Sequence, residues 1–213
     1  MKVKLISHTP NPMEAVSSAM SNCYDSKAGI AAFRHCMRSG HHSVFEFINF
    51  QFKITGVSRA FMAQLTRHRV ANYAIRSQRY VREENFDYVV PPTISANSDL
   101  HEYYTRTMEK IRKEYVNLIA KGVPAEDARY LLPNATETVV EFGINYRSLL
   151  NMSGIRLCTR TQWEFRKVMK LIVEEVEKVE PELAKYLTPK CVQMGGCNED
   201  KNCGYFESIK KDK

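Results

Sequence analysis

Four arginines crowd into thirteen residues of this chain: Arg67, Arg69, Arg76 and Arg79, interleaved with His68, Asn72, Ser77 and Gln78. Like charges that close repel one another and lose rotamer freedom when ordered. Such a run is therefore either a solvated surface or a site built for an anion. Three features favour the site. The cations are arginine rather than lysine, and the planar guanidinium fork matches a pair of phosphate oxygens. The interleaved amides and hydroxyl supply hydrogen bonds of fixed direction. Gln64 lies one helical turn before His68, so a helix running into the segment puts both on one face. The net charge of +7, from 31 basic and 24 acidic residues, agrees with anionic partners, phosphorylated small molecules as well as nucleic acid.

Other groups carry weaker signals. Ser77 sits in this cationic field, but a nucleophilic serine needs a positioned base, so donation to a phosphate is its better role. His35, Cys36, His41 and His42 match no zinc-ligand spacing, and no metal is expected there. Cys191, Cys197 and Cys203 are evenly spaced without a CxxC pair. They read as reduced thiols on a surface tail, against a metal site completed from elsewhere or a redox pair. The nine glycines never form GxGxxG, which argues against a Rossmann-type dinucleotide site.

The elements that must position these residues follow from periodicity. Lys2 to Ser7 reads as a strand. Pro12 opens a helix to about residue 22, and a second helix covers about 27–39 with Gly40 as its cap. Ile48, Phe50, Phe52 and Ile54 alternate with polar residues as in a half-buried strand, while Phe45 and Phe47 fall in the opposite phase across a turn. A helix at about 57–66 delivers the arginine segment, which is too polar for core. A long helix spans about 98–121, with Leu100, Tyr104, Met108, Ile111, Tyr115 and Leu118 on one face and Gly122 at its end. A short helix fits between Pro124 and Pro133, and a strand between Thr138 and Phe142. A last helix at about 160–180 buries Phe165, Met169, Ile172 and Val176. The fold class expected is α+β, an antiparallel or mixed sheet flanked by long helices. Residues 1–188 form the expected domain, and 189–213 a Cys/Lys-rich tail. The N-terminus lacks a signal-peptide core and no run suits a membrane span, so a cytoplasmic protein with no membrane partner is expected.

The arginine segment also resembles a family. Arg67-His68-Arg69, seven intervening residues, then Ser77 is similar to the signature of the flavin-dependent thymidylate synthases. Four further segments resemble that family in order: Gly40 to Glu46, Ala128 to Pro133, Asn145 to Asn151, and Arg156 shortly before Gln162-Trp163-Glu164. The likeness covers about residues 1–187. It departs at Ile75 and Arg76, where many members carry an acidic and an apolar residue, and at Cys23, where some carry serine.

The resemblance implies an enzyme that converts dUMP to dTMP with methylenetetrahydrofolate as carbon donor and a bound FAD, reduced by NADPH, as hydride carrier. It implies a homotetramer whose active sites draw on several subunits, and a non-Rossmann flavin site. On these positions Arg67, His68 and Arg69 would touch the flavin, with Ser43, Asn145, Arg147 and Asn151 holding FAD as well. Gln64, Arg67, Ser77, Gln78, Arg79 and Arg129 would hold dUMP. His41 would lie beside the flavin where folate stacks, and Arg156 would be catalytic, over the uracil. The chemistry suits these types. Uracil C5 is a poor nucleophile, and a permanent cation beside the ring stabilises the charge that activates it. Two rival readings are a basic nucleic-acid-binding protein, which leaves the segments at 40–46, 128–133 and 145–156 unexplained, and a flavin-dependent methyltransferase acting on a uracil in tRNA. Nucleic acid is not among the expected partners.

Overall fold

In a computed structural model the structure describes residues 1–24 and 29–211. The start of the second helix expected at 27 lies outside the described residues, as does the side chain of Cys23. Strand β1 (Lys2–His8) leads to helix α1 (Pro12–Tyr24), and α2 (Ile30–Ser39) ends where Gly40 takes the left-handed conformation, φ 74°. A 3₁₀ turn (His42–Phe47) then separates the out-of-phase Phe45 and Phe47 from β2 (Asn49–Ser58). Next come α3 (Arg59–Leu65), capped by the Ser58 hydroxyl, and β3 (Asn72–Ile75). The α4 turn (Pro92–Ser95) precedes the long α5 (Ser98–Ala120), whose N-cap is the Asn97 side chain. After α6 (Ala125–Ala128) runs β4 (Glu137–Asn145), continuing straight into α7 (Tyr146–Arg156). The chain closes with α8 (Trp163–Val179), α9 (Pro181–Ala184), α10 (Lys190–Gln193) and α11 (Tyr205–Lys211). The four strands make a small antiparallel sheet in the order β1-β2-β4-β3, so the architecture is α+β as expected.

The chain groups into two compact units. One comprises Met1–Lys2, Ile54–Arg67 and Ala74–Val140, and the other Val3–Lys53, His68–Tyr73 and Glu141–Lys213. In the second unit the stripe Phe165, Met169, Ile172 and Val176 is fully buried, and Phe33, Phe45 and Tyr146 pack as an aromatic cluster with centroids 5.1–6.4 Å apart. The Tyr146 hydroxyl donates to the Leu183 carbonyl at 2.7 Å, which fixes the start of α7. In the first unit Tyr115 of α5 is fully buried, and its hydroxyl accepts the Glu83 N–H at 3.1 Å.

The structure differs from the expected elements in four places. Leu100, expected on the buried face of α5, stands half exposed; only Met108 and Tyr115 of that helix are buried. The arginine segment contains a short strand, and the stretch 146–156 is a helix; the residue pattern signals neither. The Cys/Lys-rich tail, for which no element was expected, carries two helices.

Candidate functional site

The second unit assembles a compact group around Arg156. This residue ends α7, where a cation is favoured by the helix dipole. Its Nε–H donates to His68 Nε2 at 2.9 Å, and its guanidinium carbon lies 4.5 Å from the centroid of the Phe165 ring. His68 meets the same ring edge-on, centroids 5.7 Å apart at 80°. Burial, and next the Arg156 charge, push the His68 pKa down to about 4. At neutral pH the imidazole is therefore uncharged. Since Nε2 accepts, the ring proton is assigned to Nδ1. The Tyr73 hydroxyl donates to the His68 carbonyl at 2.6 Å and holds that backbone; burial raises this phenol to about 12, so it stays a donor. The result is a permanent cation clamped between a neutral acceptor and an aromatic face.

The same unit holds most residues assigned to FAD. The 3₁₀ turn bearing Ser43, with His41 just before it, packs against α7, which carries Arg147 and Asn151. Arg147 pairs with Glu46 of that turn, and Ser43, His41 and Asn151 are exposed. Asn145 caps α7, its Oδ1 accepting the Ser148 N–H at 2.8 Å. Arg69 is exposed.

The first unit holds Gln64, Arg67, Ser77, Gln78, Arg79 and Arg129. Arg79 and Arg129 converge on one residue, Glu126. Arg79 Nη2 lies 3.0 Å from its carboxylate, and Arg129 Nε donates to its carbonyl at 3.0 Å. Ser77 Oγ accepts the Arg79 N–H at 3.3 Å. The Gln78 Nε2 amide is buried with no hydrogen-bond partner, a donor whose desolvation calls for an acceptor. Arg76 behaves differently from its neighbours. Its Nε donates to Glu83 Oε1 at 2.8 Å, and Glu83 is buried, so this arginine stabilises the loop. A cleft of about 440 Å³ in this unit is bordered by Arg76, Glu83, Asp87 and Glu137. None of the predicted nucleotide-binding residues lines it, and its carboxylates disfavour a phosphate.

Sequence reasoning finds Phe165 only as core and misses it as the ring beneath Arg156. It also misses Glu46 and Glu126 as partners of site arginines. Among the described residues no group of three His, Cys, Asp or Glu side chains stands where it could hold a metal as placed.

The family described as thymidylate synthase complementing protein matches residues 4–182. The chain belongs to the flavin-dependent thymidylate synthase family. It is 38% identical to the flavin-dependent thymidylate synthase of Clostridium tetani, over 99% of this chain and 96% of that one. It is also 38% identical to that of Geobacter sulfurreducens, over 99% and 97%. A crystal structure of the Helicobacter pylori flavin-dependent thymidylate synthase, complexed with FAD and dUMP, shares the fold with a TM-score of 0.72 at 22% identity, covering 88% of this chain and all of that one. The protein is thus an enzyme, a flavin-dependent thymidylate synthase, and the resemblance drawn from its five segments is borne out. Among the described residues no helix is long and apolar enough to cross a membrane.

The donor set fits a flavin and a nucleotide. Arg69, and Arg147 once it exchanges Glu46 for the ligand, are cations suited to a pyrophosphate, and exposed Ser43 and Asn151 offer directed hydrogen bonds to a ribose or ring edge. The partnerless Gln78 amide and the Arg79–Arg129 pair suit a phosphorylated nucleoside.

Proposed function

We propose that this enzyme methylates dUMP to dTMP, taking the carbon of methylenetetrahydrofolate and using FAD reduced by NADPH. The observation that carries the proposal is the Arg156 clamp. A guanidinium held by neutral His68 over Phe165 is oriented before substrate arrives, so its positive charge needs no reorganisation when the uracil ring becomes electron-rich. In this reading Arg156 faces the uracil and stabilises negative charge at the ring as C5 attacks the one-carbon unit. FAD, when bound, supplies the hydride chemistry.

Gln64, Ser77, Gln78, Arg79 and Arg129 hold the nucleotide, with Arg67 serving both nucleotide and flavin. Glu126 keeps Arg79 and Arg129 near each other while the site waits for phosphate. His68, Arg69, Ser43, Asn145, Arg147 and Asn151 serve the flavin in a non-Rossmann site, and His41 serves the folate. Asn145 can do so with its amide nitrogen, since its oxygen caps α7. A cytoplasmic homotetramer with active sites shared between subunits completes the reading; the exposed Tyr80, Tyr103 and Tyr130 side chains are suited to burial between copies.

Flavin and product together test this reading. The purified protein should carry or take up FAD, NADPH should bleach it without oxygen, and dTMP should form only when dUMP and methylenetetrahydrofolate are both present. A protein that ignores added FAD, or that makes dTMP without it, refutes the reading.

A further inference from the structure

Four cysteines converge in the second unit, from two stretches of chain. Cys158 lies in the loop after α7, and Cys191, Cys197 and Cys203 lie in the segment beyond residue 189. Hydrogen bonds bring them together. The Gly196 N–H donates to the Cys191 carbonyl at 2.9 Å, with Gly195 in the left-handed region at φ 70°, which turns the chain so that Cys197 returns beside Cys191. Next to Cys158, Arg160 pairs with Glu199 at 2.8 Å and donates to the Lys201 carbonyl at 3.2 Å. Thr159 shares a hydrogen bond with the Cys203 thiol. The Gln193 Nε2 of α10 lies within reach of the Leu150 and Thr188 carbonyls and the Ser153 hydroxyl of α7, at 2.9–3.3 Å. Cys191 lies within electrostatic range of Cys197, Cys158 and Cys203.

Such a gathering needs a cause. Among apolar side chains beyond residue 188, Phe206 alone of the described residues is buried, which is far too little core to order the segment. Small loop-rich segments of that kind are commonly closed by disulfides or by a metal. Cys158, Cys191, Cys197 and Cys203 are all free thiols.

We propose that Cys158, Cys191, Cys197 and Cys203 are the four thiolate ligands of a structural zinc ion. Four sulfurs suit the tetrahedral, closed coordination of structural zinc. As placed, no three of these thiols yet form a metal site among the described residues. Binding draws them in, and the glycine turns at 195 and 204 let the loops close without moving the core. Each thiol gives up its proton to solvent as it ligates, with no change of oxidation state. The spacing hid the site: five residues separate each of the three tail cysteines from the next, longer than the two to four between paired zinc ligands, and the fourth ligand, Cys158, precedes α8.

The experiment uses the full-length protein, reduced, then reconstituted with Zn²⁺ or Co²⁺. The expected result is one zinc per chain, and a cobalt form with thiolate charge-transfer bands and tetrahedral d–d bands. Zinc should protect four of the six cysteines from a thiol reagent in the native state. Cys158→Ser and Cys203→Ser should each weaken zinc binding at least tenfold with circular dichroism near native; Cys36→Ala, in the core against Met20, should not. If a serine variant fails to fold, thiol protection in the native protein decides. No zinc uptake, an octahedral cobalt spectrum, iron with sulfide in place of zinc, or full zinc in Cys158→Ser overturns the proposal.

Discussion

Replacing Arg156 by alanine removes the cation but leaves its cradle. His68 keeps its backbone anchor through Tyr73, and Phe165 keeps its place in α8. On the proposed role of Arg156 the loss is confined to charge stabilisation at the uracil ring. Removing one preorganised donor aimed at developing charge costs about 2.7–4 kcal/mol, or on the order of 100- to 1,000-fold in kcat at about 1.36 kcal/mol per decade. Phe165→Leu tests the cradle itself. It deletes the aromatic face 4.5 Å from the guanidinium carbon, a contact worth about 0.5–2 kcal/mol, so kcat should fall by about 2- to 30-fold with little change in KM for dUMP. Arg156→Lys should recover only part of the loss, because an ammonium cannot keep the Nε bond to His68 while presenting a planar fork. The assay is steady-state turnover with saturating dUMP, alongside the flavin spectrum and anaerobic NADPH reduction, which should both stay near normal. Wild-type kcat in Arg156→Ala would refute the assignment. A larger loss in Phe165→Leu than in Arg156→Ala would show that the ring acts by some route other than the guanidinium.

Arg129→Ala should raise KM for dUMP more than it lowers kcat, read from the same kinetics, since its proposed role is to bind rather than to meet developing charge. His68 makes stability depend on pH: the unfolded imidazole binds its proton near pH 6.5 and the folded one only near 4, so stability should fall as pH drops through that window. His68→Gln should flatten the fall in a melting-temperature series from pH 7 to 4. Arg76→Met should leave KM for dUMP within about twofold but cost about 1–2 kcal/mol in denaturant unfolding, because it strands buried Glu83, discounted for the half-exposed arginine.

Much of this was legible in the residues, and what was not has physical causes. Long elements with one buried stripe, such as α8, announce themselves because four fully buried side chains recur at helical spacing. The helix α7 does not. Tyr146, Leu149, Leu150, Met152, Ser153 and Gly154 are all buried, so it is covered around most of its girth by a mixture of large, small and polar residues, and no stripe survives. The β3 strand is four residues at the end of the sheet order, with Asn72 and Ala74 exposed, too short and too polar to show an alternation. Arg76 looked like its neighbours because residue type and spacing say nothing about a carboxylate buried seven positions on. Phe165 was found as core but not as a site residue, since the sequence cannot say which buried ring lies under a cation. The tail cysteines were visible, but the chain's path back to Cys158 was not.

The junction at Asn145 has a consequence for how this chain can vary. Strand β4 passes into α7 without a loop, and the Asn145 side chain closes the first turn. From Arg147 to Arg156 the helix advances nine residues, about 13.5 Å, each step turning about 100°. Substitutions along this stretch leave that ruler unchanged, whereas losing or gaining a single residue swings Arg156 about 100° away from His68 and Phe165. The count of residues between 145 and 156 is therefore expected to stay fixed among relatives.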